Sequence, residues 1–91
     1  MIMVDELRRH PGAARLFIAG SCHLTTDGSL DDLHAFAARI DCRRAWFQAH
    51  PLHPHYDLTP GRRAAALLAG ATFVSAKDQA RARLRARGVD V

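Results

Sequence analysis

The sequence predicts a single compact domain of α/β or α+β type, in which a small sheet of three to four strands packs with about three helices. Three observations carry that expectation. Short apolar segments at residues 2–5, 16–24 and 71–74 alternate with amphipathic stretches long enough to be helices. Each of those stretches opens on a hydroxyl residue suited to capping: Ser29, Thr59 before Pro60, and Ser75. A chain of 91 residues with 48% apolar and 24% charged residues has the composition of a folded domain and the length for one core.

The elements follow in order. Residues 2–5 read as a short strand, and Pro11-Gly12 punctuates the loop after it. Residues 16–24 read as the better strand, apolar on both faces at its start, with Ser21 and His23 towards its C-terminal end. In an open α/β sheet that end binds ligands. Asp27-Gly28 turns the chain, and Ser29 with Asp32 three residues on forms an N-terminal cap. The helix from Leu30 to about Ile40 places Leu30, Leu33, Ala37 and Ile40 on one stripe, with Asp31, Asp32 and Arg39 opposite. Residues 43–48 suggest another strand. Thr59-Pro60 starts a helix that Gly70 ends, residues 71–74 form a short buried strand, and Ser75 caps a last helix running to about Arg87.

No apolar run approaches the roughly 18 residues of a membrane span, and the first residues lack the pattern of a secretory signal, so a cytoplasmic location without membrane association is expected. In that setting Cys22 and Cys42, twenty residues apart, are expected to be buried free thiols rather than a disulfide or a zinc-finger pair. The formal charge of +4 is uneven. Residues 76–91 hold Lys77, Arg81, Arg83, Arg85 and Arg87 against Asp78 and Asp90, a net +3.

Chemistry concentrates between Trp46 and Leu58, which holds three of the six histidines, two prolines, three aromatics and Asp57. His53, His55 and Asp57 are spaced i, i+2, i+4, so an extended chain would turn all three to one side. Imidazole and carboxylate are ligands for a divalent transition metal, and one such ion is the expected cofactor, with His23, His53, His55 and Asp57 as candidate ligands. The same loop could work by general acid–base catalysis through His53, His55, Tyr56 and Asp57, with the carboxylate orienting an imidazole. Asp5, His34, His50 and Trp46 are further candidates. His53-Pro54-His55-Tyr56-Asp57 is also similar to the first part of the metal motif of metallo-β-lactamase-fold hydrolases. The likeness ends at Leu58, and the chain is too short for that fold.

Arginine supplies the second signal. Arg62 and Arg63 fall in the first turn of a helix, where the backbone dipole is already positive, and together with Thr59 they predict a phosphate-binding helix start. On the last helix Arg81/Arg85 and Arg83/Arg87 form two stripes that would suit a phosphate backbone or an acidic partner.

Cys22-His23-Leu24, residues 33–40, Trp46-Phe47-Gln48 and residues 53–59, followed by Arg63-Ala64 and Gly70-Ala71, together resemble a small bacterial and phage family catalogued as domain of unknown function 4031. The resemblance spans about residues 3–74, leaving the basic residues 76–91 outside it, and Asp41 stands where the family's turn carries glycine. It implies a single soluble domain and no particular activity. The function expected from the residues is binding of a phosphate-bearing ligand, a nucleotide or nucleic acid, with metal-dependent phosphoester hydrolysis as the reaction. The rival expectation is a non-enzymatic module, dimeric or bound to a protein partner through the aromatic, proline-rich loop and the basic helix.

Overall fold

The computed structural model describes residues 1–90 apart from His10, Pro11, Ala13, Ala14 and Ile18. Among the described residues the chain forms β1 (Ile2–Val4), a 3₁₀ turn (Arg15–Phe17), β2 (Cys22–Thr26), α1 (Leu30–Arg39) and a second 3₁₀ turn (Arg44–Trp46). It continues through β3 (Phe47–Gln48), β4 (His55–Leu58), α2 (Pro60–Leu68), β5 (Thr72–Phe73) and α3 (Ala76–Ala86). The strands make one five-stranded mixed sheet in the order β3-β4-β2-β1-β5. Only β1 and β5 run parallel; the other pairs are antiparallel. This is an α+β fold, with one strand more than the sequence suggests.

The helix boundaries follow from side-chain chemistry that is plain in the sequence. The hydroxyls of Ser29, Thr59 and Ser75 accept from the backbone N–H three residues on, satisfying one orphan donor at each helix start. Each helix ends in the paired 6→1 and 5→2 bonds of a Schellman motif. After α1 these are Cys42 N–H to the Ala37 carbonyl and Asp41 N–H to the Ala38 carbonyl. The residue in the left-handed conformation there is Asp41, at φ 62°, while Gly70 and Gly88 serve after α2 and α3.

Two strands depart from expectation. The strand placed at 16–24 begins only at Cys22: residues 15–17 form the 3₁₀ turn and Gly20, at φ 113°, redirects the chain, while Ile18 and Pro11 lie outside the described residues. His23 therefore sits near the start of its strand, not its end, and in a mostly antiparallel sheet the rule that ligands bind at strand C-termini has no purchase. The second departure is β4. Residues expected to be a loop are, from His55 on, a strand pairing with both β2 and β3. The strand expected at 43–48 shrinks to β3 behind a 3₁₀ turn.

Strand alternation gives the sheet two unlike faces. Val4, Cys22, Leu24, Tyr56 and Leu58 project to one side, where α1 contributes Leu33, Phe36 and Ala37 and α2 contributes Ala66, closing the core. The other side shows Met3, Thr25, His23, His55 and Asp57. α3 lies over part of that polar face, fastened by Gln79, which is 4% exposed. Thr25 Oγ1–H donates to Gln79 Oε1 at 2.7 Å, and Gln79 Nε2–H donates to the Val74 carbonyl at 2.8 Å. No helix among the described residues is long and apolar enough to cross a membrane.

Candidate metal centre

The register of β2 against β4 builds the site. His23 pairs directly with Asp57, and His55, two residues before Asp57, projects to the same face. The alternation His55-Tyr56-Asp57-Leu58 puts the polar pair on the open face and the apolar pair into the core. Ligand atoms of His23, His55 and Asp57 consequently lie within 4.8 Å of one another. Asp57 Oδ1 is 3.6 Å from His55 Nε2 and 3.9 Å from His23 Nε2. Atoms sharing one tetrahedral ion at zinc–ligand distances stand roughly 3.3 Å apart, so the set is wider than a filled site and its side chains would draw together around an ion.

Both imidazoles are held by their other nitrogen. His55 Nδ1 lies 2.7 Å from the His53 carbonyl, which can only accept, so Nδ1 carries the proton and Nε2 is left free. His23 Nδ1 is 2.7 Å from Asp5 Oδ2, and the His23 backbone N–H donates to Asp5 Oδ1 at 2.6 Å. Asp5 is 3% exposed, immediately after β1. Its backbone carbonyl accepts from Arg63 Nε at 2.9 Å, which ties β1 to α2 at this point. Carboxylate and carbonyl partners of this kind orient metal-binding histidines and raise their basicity.

The Asp5 contact raises the His23 imidazolium above the ordinary histidine range, more than offsetting burial. Burial works to raise the Asp5 carboxyl, but the His23 side-chain and backbone donors override it and hold it below the usual carboxylate range. His53 stacks on His55 with ring centroids 4.9 Å apart and meets His23 edge-on at 5.2 Å. Burial, with Arg83 and the two neighbouring imidazoles, lowers it to about 4, so it is neutral near pH 7. Cys22 and Cys42 are both buried and free. Burial pushes the Cys22 thiol up to about 12, and its side chain projects to the core face of the sheet, away from His23, His55 and Asp57.

The remaining candidates are spread around the fold. Tyr56, 1% exposed, points into the core on the opposite side of β4, its hydroxyl 2.7 Å from His34 Nδ1. These two therefore belong to the packing of α1 on the sheet and not to the face that carries His23, His55 and Asp57. His50 makes the turn before β4, its Nδ1 accepting from Leu52 N–H at 3.2 Å. The Thr59 hydroxyl accepts from Arg62 N–H as the α2 cap. The Arg62 guanidinium lies over the Trp46 ring at 4.7 Å, and Arg63 both reaches the Asp5 carbonyl and covers Phe73. Trp46 and Gln48 also line a cavity of about 130 Å³ that Asp57 borders. The sequence names all three residues that converge and puts His23 on a strand apart from the other two. What it does not disclose is that Asp57 and His55 are themselves on a strand paired with His23's, or that Asp5 is its hydrogen-bond partner. An aspartate after a three-residue strand is the only local signal of that role.

A family model described as "Protein of unknown function (DUF4031)" matches residues 2–87, nearly the whole chain, and takes in α3, which the motif resemblance ending near residue 74 leaves out. No curated protein and no solved structure matches the chain.

Proposed function

The chain belongs to the DUF4031 family, whose description carries no activity, and from the site alone we propose that it is a divalent transition-metal protein with His23 Nε2, His55 Nε2 and Asp57 Oδ1 as the ligands. One observation carries the reading: three donors within 4.8 Å, with both histidines held through Nδ1 so that each offers Nε2 to the same point. Structural zinc sites are closed by four protein ligands, whereas three leave a position for water or substrate. An ion held by His23, His55 and Asp57 would acidify a water in that position and polarise an anionic oxygen beside it. The reaction that fits is hydrolysis of a phosphoester: the water oxygen adds to phosphorus, the ester P–O bond breaks, and the departing alkoxide takes up a proton.

The interaction-module alternative has less to draw on. Tyr56 is buried, Phe47 packs against the core, and Trp46 is covered by Arg62, so the aromatics of the loop are engaged inside the fold. The test is metal content by mass spectrometry on tag-free protein purified without chelator, beside His23→Ala, His55→Ala and Asp57→Ala. The expected result is one zinc, manganese or iron per chain, lost in each variant, with hydrolysis of bis(p-nitrophenyl) phosphate lost in parallel. Wild type that neither carries nor takes up these ions ends the proposal. Metal without hydrolysis leaves the centre and removes the reaction.

A further inference from the structure

The basic stripe on α3 has a counterpart in the structure. Arg83 and Arg87, one turn apart, line a cavity of about 350 Å³ whose other wall includes His50, Leu52 and His53. Arg83, Leu52 and His53 also border a second cavity of about 270 Å³, which runs between α3 and the sheet past Met3, Pro54 and Ala82. The two spaces meet at those three residues. The first has a basic rim, and the second is mainly apolar. Neither is centred on His23, His55 and Asp57. Both reach that centre through His53, whose ring stacks on His55.

Among the described residues no carboxylate pairs with the Arg83 or Arg87 guanidinium, whereas Arg8 has Glu6 at 3.7 Å. Arg62 and Arg63, at the start of α2, are occupied with Trp46, Phe73 and the Asp5 carbonyl. Guanidinium groups bind phosphate oxygens in a bidentate fashion, so two of them on one helix face suit a phosphate better than a single point charge. An engineered apolar cavity of roughly 150 Å³ already admits benzene, so the adjoining space holds a group of one ring.

We propose that this cleft is a ligand site beside the His23, His55 and Asp57 cluster: Arg83 and Arg87 bind the phosphate of a small phosphate-bearing molecule, and the cavity past Leu52, Met3 and Ala82 takes its flat apolar part. Binding in the cleft does not depend on the metal reading. His53, which lines both cavities and stacks on His55, then forms the wall between the cleft and that cluster.

Phenylphosphonate, which cannot be hydrolysed, and inorganic phosphate are the probes, titrated calorimetrically into zinc-loaded protein. Wild type is expected to bind phenylphosphonate at least tenfold more tightly than phosphate. Arg83→Gln/Arg87→Gln is expected to lose at least tenfold for both anions while its zinc content and melting temperature stay at wild-type values. Ala82→Phe, on an exposed position of α3, is expected to abolish only the advantage of the phenyl group. Absence of phenylphosphonate binding in wild type, or binding unchanged by the double arginine substitution, overturns the proposal. Arginine-dependent binding in wild type that takes up no zinc upholds the cleft while the metal reading fails, so the two failures are separable.

Discussion

Asp5 has the largest consequence for its size. Its two oxygens receive the Nδ1–H and the backbone N–H of the same histidine, so one carboxylate fixes both the ring orientation of His23 and the local path of β2. An asparagine there has one acceptor and one NH₂ group, and one of the two donors loses its partner. Asp5→Asn is therefore expected to leave all three ligands in place yet weaken metal binding by roughly 10–100-fold, the range for such orienting partners. Competition with a chromophoric chelator measures the affinity. The visible spectrum of the cobalt-substituted protein reports whether the coordination geometry moves with it, which a merely structural role would not require. Affinity within twofold of wild type, with the same spectrum, removes Asp5 from this role. His55, Asp57 and His23 are legible in the sequence because imidazole and carboxylate are scarce and chemically conspicuous. Asp5 is less so: its meaning depends on a pairing across 18 residues that only the register of β1 on β2 creates.

β4 is the element on which the site depends, and also the one that composition conceals. Two prolines and three histidines just before and at its start mark residues 50–55 as a loop, yet His55-Tyr56-Asp57-Leu58 alternates with period two as a half-buried strand does. The signal is four residues long, short enough to be outweighed by its surroundings. Helix starts were legible to the residue, and helix ends to within one, because capping chemistry is local, whereas strand boundaries depend on partners distant in sequence. The core side of β4 is fastened to α1 by His34 and Tyr56, and this contact carries a pH dependence. Burial, with Arg44 nearby, lowers His34 below the ordinary histidine value of 6.5 in the fold. The unfolded chain then takes up the proton first as pH falls through about 6.5, so this group costs stability between there and its depressed folded value, and nothing above. His34→Gln, which can keep a hydrogen bond to the tyrosine, is expected to lose this component. The melting temperature of wild type falls more steeply than that of the variant between about pH 7.5 and pH 5.5. Parallel curves would show that His34 titrates as it does in the unfolded chain.

At the scale of the whole molecule, the sheet separates stability from chemistry by assigning each a face. The apolar face carries a small core in which Tyr56, Leu24, Leu33, Leu58 and Val4 are the largest fully buried side chains. Domains of this size bury a modest share of their surface and are often strengthened by a bound metal. The polar face offers that possibility, because its ligands come from β2 and β4 and their orienting carboxylate from the end of β1, joining three neighbouring strands in the sheet. The unfolded chain has no such convergence, so an ion that binds only the native arrangement stabilises it by mass action, about 2.7 kcal/mol at a hundredfold excess over Kd. For a domain of this length each kcal/mol moves the melting temperature by roughly 4–8 °C. Zinc at that excess is therefore expected to raise the melting temperature by about 10–20 °C, and chelator to reverse the shift. His55→Ala and Asp57→Ala should show no response to zinc. Their own zinc-free melting temperatures should lie close to that of zinc-free wild type, since both side chains project from the face of β4 opposite the core. A zinc response that survives both substitutions would place the ion elsewhere on the molecule. A large loss of stability in the zinc-free variants would instead make the histidine–aspartate cluster a structural clamp.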